Sequence, residues 1–183
     1  MKRFLSLLML ILSSMFAFCN SPREITKQDS IRILKEVEIY ITTFQKQLDK
    51  TYSDDLENGI ITEFSIDTCK IERIATKKIE IDCSTMGISV AIKELTNQYD
   101  KLLNKYYHKL LSKLIGADKE TLKQSQRNWI QFRESETKLI ILMSDDKYSG
   151  GGTIQNNIIS ANILDLTKKR LVEIYQYLLG ITE

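Results

Sequence analysis

The sequence predicts an all-α fold, an antiparallel bundle with three long helices after residue 88 and one further helix near the N-terminus. Its 183 residues include seven Gly and one Pro, so few residues interrupt a helix. Apolar residues make up 43% of the chain and charged residues 27%, which is typical of a globular domain. Apolar side chains also recur every three or four residues over long stretches, as in helices that bury one face.

Residues 1–19 are predicted to be a signal peptide. Two basic residues precede an apolar run of fifteen residues, Phe4 to Phe18, which is short for a membrane span. Cleavage before Asn20 would export the chain to the periplasm or cell envelope without a transmembrane span. The alternative is a lipoprotein with a lipid anchor at Cys19. Phe18 disfavours that alternative, because lipoprotein cleavage normally requires a small residue before the Cys.

The charge balance argues against nucleic acid as a partner. Removal of Lys2 and Arg3 leaves 24 basic residues (26 minus 2) against 24 acidic residues. Binding to phosphates requires a basic patch. A chain without net charge also exerts no long-range attraction on a charged partner.

A helix is predicted from about Asp29 to Lys50. Asp29 or Ser30 is expected to cap its start. Its apolar residues recur at spacings of three and four and form one stripe, which consists of Leu34, Val37, Ile41, Phe44 and Leu48.

The following segment, residues 51–82, is predicted to be irregular. Ser53-Asp54-Asp55 and Asn58-Gly59 are turn signals. The β-branched residues after them fit either a short helix around Lys70 to Lys78 or a small hairpin, and the helix is preferred.

Three long helices are predicted after this segment. The first buries a stripe that includes Tyr99 and Tyr106. Gly116 is expected to stop it and Asp118 to cap the next helix, so the two fold back antiparallel. The predicted bounds are Ser89 to Leu114, Lys119 to about Ser144, and a last helix from a Thr153 cap to Gly180.

The connection between the last two helices is the candidate binding loop. It holds the one glycine cluster of the sequence, beside a tyrosine and two acidic residues that suit a basic partner. Glycine lets a backbone approach a partner closely, and loops on rigid scaffolds often carry binding residues. A simple helix connection is the alternative, and the Lys-Ser/Thr ending of a phosphate-binding loop is missing. The candidate residues are Asp145, Asp146, Tyr148, Ser149, Gly150, Gly151, Gly152 and Thr153.

The cysteines indicate a structural disulfide rather than a metal site. After signal cleavage Cys69 and Cys83 remain, and two thiols in an oxidising compartment usually form a disulfide. Such a bridge would staple the irregular segment and contribute about 3 kcal/mol. Zinc requires more ligands than these thiols and the single His108 supply, so no metal and no cofactor are expected.

A catalytic constellation is not evident, so the chain is predicted not to be an enzyme. His108 stands alone, and Glu134 and Glu136 point to different faces of one helix. A glycosidase-like pair of carboxylates is therefore not indicated. An enzyme that acts on peptidoglycan is the rival hypothesis.

Four stretches of the sequence, in order, resemble the N-terminal domain of the family of the lysozyme inhibitor LprI. They are Cys83 to Tyr107, Leu122 to Glu136, Tyr148 to Gln155 and Leu166 to Arg170. The family pattern is a Cys with a Thr-rich turn, then Asp-x-x-Leu-Asn-x-x-Tyr, Gln-x-x-Trp-x-x-Tyr/Phe-Arg, a Gly-Gly turn and Thr-x-x-Arg. The matching positions are Cys83, Asp100, Leu103, Asn104, Tyr107, Gln126, Trp129, Phe132, Arg133, Gly151, Gly152, Thr167 and Arg170.

The resemblance implies an exported helical protein without a cofactor, with c-type lysozyme as its partner. Residues 83–183 would form the LprI-like domain, packed with residues 27–82 as one globular unit. Ala91 and Thr137 stand where the family commonly has Cys, which leaves Cys69 as the implied partner of Cys83.

The polar residues of the family motif are predicted to form a structural network inside the bundle. Gln126, Trp129 and Arg133 share one helical face, and a buried amide or charge requires a polar partner. Asp100 or Glu136 is expected to pair with Arg133, and Asn104 to bridge to Gln126. A concave patch that binds sugar or protein is the alternative. The full set is Asp100, Asn104, Tyr107, Gln126, Trp129, Arg133, Thr167 and Arg170.

The predicted function is lysozyme inhibition, with the loop of residues 145–153 occluding the substrate cleft of the enzyme. The alternative is a non-catalytic structural or assembly protein of the envelope. It would dock through the N-terminal helix, on the side of Leu34, Phe44 and Leu48.

Overall fold

The structure, a computed structural model, describes residues 21–52 and 56–181, and it is helical throughout these ranges with no strand. The predicted signal peptide and the lipid site at Cys19 lie outside the described residues. No helix within the described ranges has the length and hydropathy that a membrane crossing requires. The helices are α1 (Lys27–Thr51), α2 (Leu56–Ile81), α3 (Thr85–Lys113), α4 (Gly116–Met143), α5 (Asp146–Ser149) and α6 (Gln155–Gly180).

Successive long helices run antiparallel, and α6 returns parallel to α3 at the centre of the bundle. Ser89 and Ser160, near the starts of α3 and α6, bring their hydroxyl oxygens within 3.2 Å of each other. Tyr106 and Tyr175, near the other ends, stack edge to face with ring centroids 6.2 Å apart. The main core lies around this pair and takes its buried residues from α2, α3, α4 and α6: Ile60, Tyr99, Leu103, Tyr106, Leu110, Leu122, Leu171, Ile174 and Leu178.

The N-terminal helix α1 packs on α2 rather than on the main core. Ile33, Val37 and Ile41 are buried there. The predicted stripe is therefore shifted at its start, because Ile33 faces α2 while Leu34 is 54% exposed. Thr26, not Asp29 or Ser30, caps the helix: its hydroxyl accepts from the Asp29 amide, and the Asp29 side chain accepts from the Thr26 amide.

Helix α2 corrects the prediction of an irregular segment. Its 26 residues form one continuous helix, and Gly59 is accommodated within it. Contacts with the other helices explain the difference, since they override weak local turn signals. Glu72 accepts from the Tyr99 hydroxyl at 2.5 Å and from Lys168 Nζ at 2.7 Å. Phe64 stacks on Tyr175 with ring centroids 3.8 Å apart.

The structure lacks the predicted bridge between Cys69 and Cys83, because Cys69 carries a free thiol. Cys69 lies in the middle of α2 and packs towards α1, whereas Cys83 lies beyond the end of that helix at Ile81. The helix rises about 18 Å between Cys69 and Ile81. Disulfides usually join residues whose Cα atoms lie within about 7 Å, so a straight α2 keeps the two sulfurs apart.

The remaining helices agree with the predicted arrangement but differ at their ends. Gly116 has φ +51° and begins α4 instead of ending α3. Ile115 is the N-cap of α4, so Asp118 lies in its first turn. Ile154 is the N-cap of α6, so Thr153 precedes the cap.

Candidate functional site

Trp129 lies between two guanidinium groups at the junction of α3, α4 and α6. The Cζ atom of Arg133 is 4.7 Å from the Trp129 ring centroid, and that of Arg170 is 6.0 Å away. Arginine over an indole face is favourable because of the ring quadrupole. The single tryptophan is thus the centre of a cationic cluster rather than part of a purely apolar core.

Arg133 ties α4 to α3. Its Nη1 donates to Asp100 Oδ1 at 2.5 Å, which is the pairing expected for Asp100, and Glu136 is not needed for it. Both side chains keep part of their surface in water, 26% for Arg133 and 38% for Asp100. The ion pair therefore marks the edge of the bundle, where exposure weakens its net contribution.

Arg170 ties α6 to α4 and is the most buried charge of the cluster. Its residue is 6% exposed. Nε donates to Gln126 Oε1 at 3.0 Å, Nη2 to Ser125 Oγ at 3.0 Å, and Nη1 to Glu173 Oε2 at 3.0 Å. All three nitrogen atoms of the guanidinium thus have acceptors, as burial requires. Ser125 and Glu173 were not among the predicted site residues, since nothing in their spacing set them apart.

The other motif residues stand outside this cluster. Asn104 is exposed, and its backbone oxygen lies 2.7 Å from His108 Nδ1; no bond joins its side chain to Gln126. Tyr107 packs on the main core and meets the His108 ring edge to face, with centroids 5.4 Å apart. Thr167 is fully buried and donates to the Ile163 carbonyl at 3.3 Å.

The candidate loop contains a single helical turn, α5, followed by three glycines. Asp145 caps α5, accepting from the Lys147 amide at 3.0 Å. Ser149 Oγ donates to the Ser144 carbonyl at 3.0 Å and accepts from the Gly151 amide at 3.1 Å. These bonds hold the loop in one shape before any partner binds.

The three glycines have backbone angles that other residues rarely adopt. Gly150, Gly151 and Gly152 have φ values of +78°, +78° and +96°. Gly151 has a second constraint, since a Cβ built on it would lie 2.5 Å from Asp146 Oδ1. The cluster is therefore required by the fold of the turn, whatever the loop binds.

The outer surface of the loop carries an aromatic ring and two carboxylates. Tyr148 is 51% exposed, and Lys147 Nζ lies 5.0 Å from its ring centroid. Asp145, Asp146 and Thr153 are exposed, while Ser149 and Gly151 are partly covered. The structure therefore brings these loop residues together at one end of the bundle, remote from the Arg170 cluster.

A groove of about 430 Å³ lies between α1, α2 and α3. Its wall is mainly apolar, with Ile33, Ile71 and Ala91 among the lining residues. The two lysines at its rim already have carboxylate partners, Lys70 in Glu38 and Lys78 in Glu94. Nothing in this groove selects a ligand. Within the described ranges, no cluster of three or more His, Cys, Asp or Glu side chains has a metal-binding arrangement.

The match to a family model decides the relationship of this chain. The model of the lysozyme inhibitor LprI family matches residues 80–174, which is just over half of the chain. The chain belongs to the LprI family. The LprI match begins at the end of α2 and includes α3, α4, α5 and most of α6, so it contains both the Trp129 cluster and the candidate loop.

Helix α1 and nearly all of α2 precede the LprI match. The searches of curated proteins and of solved structures returned no match to the chain. The family description names a lysozyme inhibitor and no catalytic activity.

Proposed function

We propose that this LprI-family chain is an exported, non-catalytic inhibitor of c-type lysozyme, and that the loop of residues 145–153 occludes the substrate cleft of the enzyme. The observation that carries the proposal is Tyr148, half exposed on a turn whose backbone is already fixed by hydrogen bonds. A preorganised aromatic residue loses little conformational entropy on binding. The family description supports lysozyme as the partner.

The loop has the shape and charge that such a role requires. Its glycines add no side-chain bulk beside Tyr148, so the backbone can approach a cleft wall closely. Asp145 and Asp146 add two exposed negative charges, which favour approach to a basic protein. The Trp129 cluster is proposed to have the separate, structural role of holding α4 against α3 and α6.

Replacing Tyr148 with Ala is the direct test. Inhibition of lysozyme in a cell-wall lysis assay, titrated with the mature chain, should weaken by at least about tenfold, as expected for an aromatic residue at the centre of an interface. Ser149 should be left intact, because its hydroxyl joins Ser144 and Gly151 and its loss would reshape the loop.

Tyr177→Ala is the matched control for this test. Tyr177 is similarly exposed, at 58%, but it lies near the far end of α6, about 33 Å along the helix from Gln155. The control should keep full inhibition. Equal inhibition by both variants and the original chain would discard the loop mechanism, while no inhibition by the original chain would discard the function.

A second candidate function uses α1 as a docking surface for an envelope partner. Leu34 and Ile39 are 54% and 62% exposed on this helix, in a part of the chain that precedes the LprI match. The double variant Leu34→Glu and Ile39→Glu should keep lysozyme inhibition if the first proposal holds. A loss of envelope assembly in cells with full inhibition in vitro would support the second candidate instead.

A further inference from the structure

Helix α4 has apolar residues on two faces, and one of them is uncovered. The inner face turns Leu122, Trp129 and Ile140 towards the bundle, where they are buried or partly buried. On the outer side lies a set that we name the outer stripe: Phe132, Ser135, Leu139, Leu142 and Met143. Its four apolar members are 52%, 47%, 53% and 51% exposed, respectively.

The spacing of the outer stripe indicates that a helix covers it. Steps of three, four and three residues separate Phe132, Ser135, Leu139 and Leu142. These steps are those of the a and d positions of a heptad, which pack against another helix. Leu139 to Met143 is also five consecutive apolar residues, so no rotation of α4 could hide all of them in the bundle.

We infer that the outer stripe is the contact between two copies of this chain, paired about a two-fold axis through α4. The residues of the stripe carry no charge, and the mature chain has 24 basic and 24 acidic residues, so copies do not repel one another. A two-fold axis sets the stripe against itself, and an apolar seam complements an identical seam. A basic partner such as lysozyme would instead be selected by carboxylates, which the stripe lacks.

The size of the stripe sets the strength of this dimer. Four half-exposed large side chains offer roughly 400 Å² of apolar surface, within the range of functional patches on monomers. Stable complexes bury about 800 Å² on each partner. We therefore expect a dimer that dissociates in the micromolar range. The inference does not depend on the proposed inhibitor function.

Sedimentation equilibrium of the mature chain, from Asn20 to Glu183, tests the inference over a wide concentration range. The weight-average mass should rise from one chain to two. The double variant Leu139→Glu and Leu142→Glu should stay monomeric, and its melting temperature should be unchanged because both residues are exposed. The variant Leu34→Glu and Ile39→Glu, with similarly exposed residues on α1, is the control and should dimerise normally.

A second variant asks for a gain rather than a loss. Ser135 is the polar residue in the seam, so Ser135→Leu should tighten the dimer by at least about tenfold. Ser112→Leu, at an exposed serine of α3, should leave association unchanged.

Two results would overturn the inference. One is a mature chain that remains monomeric at every concentration, and the other is a dimer that persists in the Leu139→Glu and Leu142→Glu variant. If the chain is monomeric and this variant also loses lysozyme inhibition, the outer stripe belongs to the lysozyme interface.

Discussion

Three tyrosines of the main core link the stability of this protein to alkaline pH. Burial raises the pKa of Tyr99 and Tyr106 far above the usual value, and it raises the pKa of Tyr175 to about 12. The carboxylates of Glu72 and Asp67, which accept from Tyr99 and Tyr106 at 2.5 and 3.0 Å, act in the same direction. The neutral phenols are thus held by their surroundings, and ionisation is opposed in the folded state.

The first prediction follows from the sign of these shifts. Below about pH 10 the tyrosines are protonated in both states, so they cause no pH dependence. Above about pH 10 the unfolded chain loses these protons while the folded chain retains them. Each tyrosine then lowers the free energy of unfolding by about 1.4 kcal/mol per pH unit. Denaturant unfolding at pH 9 to 11 should show this loss.

Tyr99→Phe should make the loss of stability above pH 10 shallower by one such contribution. Tyr177→Phe is the control, because Tyr177 is exposed and its ionisation does not distinguish the two states. An identical alkaline slope in both variants would refute the role assigned to burial.

Arg170 carries the second prediction at this scale. Arg170→Leu leaves Gln126 and Ser125 without their shared donor, and it should lower the free energy of unfolding by about 3 kcal/mol. The neighbouring Lys169 is exposed and pairs only with Asp165 one helical turn away. Lys169→Leu should therefore change stability by less than about 0.5 kcal/mol. Chemical denaturation of both variants measures the difference, and equal effects would contradict the structural role of the cluster.

Among the elements, the loop after α4 gives the clearest separation of two effects. Gly150 and Gly151 share a φ of +78°, but a Cβ meets Asp146 at 2.5 Å only at Gly151. Gly150→Ala should cost about 1 kcal/mol through the backbone alone. Gly151→Ala should cost more by about 1 kcal/mol, because the Asp146 side chain must also move. Thermal or urea unfolding measures the ordering, and a reversed order would count against this loop geometry.

The long helices after residue 88 were predictable because each has an apolar stripe long enough to outweigh local signals. Tyr99 and Tyr106 belong to such a stripe and are buried. Helix α2 was not predictable in the same way. The partners that stabilise it, among them Tyr99, Lys168 and Tyr175, lie on α3 and α6. A local pattern cannot reveal contacts between residues that are tens of positions apart.

The candidate site was predictable in part. The Arg133–Asp100 pair was anticipated from helical spacing and is present. The acceptors of Arg170 on Ser125 and Glu173 were not anticipated. The outer stripe was also missed, although Leu139 to Met143 is apolar without interruption. A five-residue apolar run covers every direction around a helix, which is the signal that would have exposed it.

At the scale of the whole molecule, α2 is joined to the LprI-matched region through both core and charge. Phe64 contacts Tyr175 and Tyr106 with ring centroids 3.8 and 5.2 Å away. Lys105 Nζ lies 2.7 Å from Glu63 and 2.5 Å from Asp67. Removal of α2 would expose apolar side chains of α3 and α6 together with the polar partners of these carboxylates.

The final prediction concerns the two halves of the chain, which we propose to form one globular unit. A truncated chain of residues 83–183 should lack a cooperative thermal transition and should bind a hydrophobic dye, as loosely packed states do. A chain that begins at Leu56, and so lacks only α1, should keep a cooperative but lower transition. Cooperative melting of the shorter chain at the original temperature would show that residues 83–183 are an independent domain.

The parallel return of α6 has a consequence for how this protein can be attached. The Arg23 amide donates to the Ile81 carbonyl at 3.2 Å, so the described chain starts at the end of the bundle that also carries Tyr148. Helix α6 then spans about 39 Å and ends at Gly180, at the opposite end. A tether at the N-terminus would turn the loop towards whatever holds it, whereas a tether at the C-terminus would present the loop to solution. The position of the anchor would therefore decide whether the loop is accessible to a soluble enzyme.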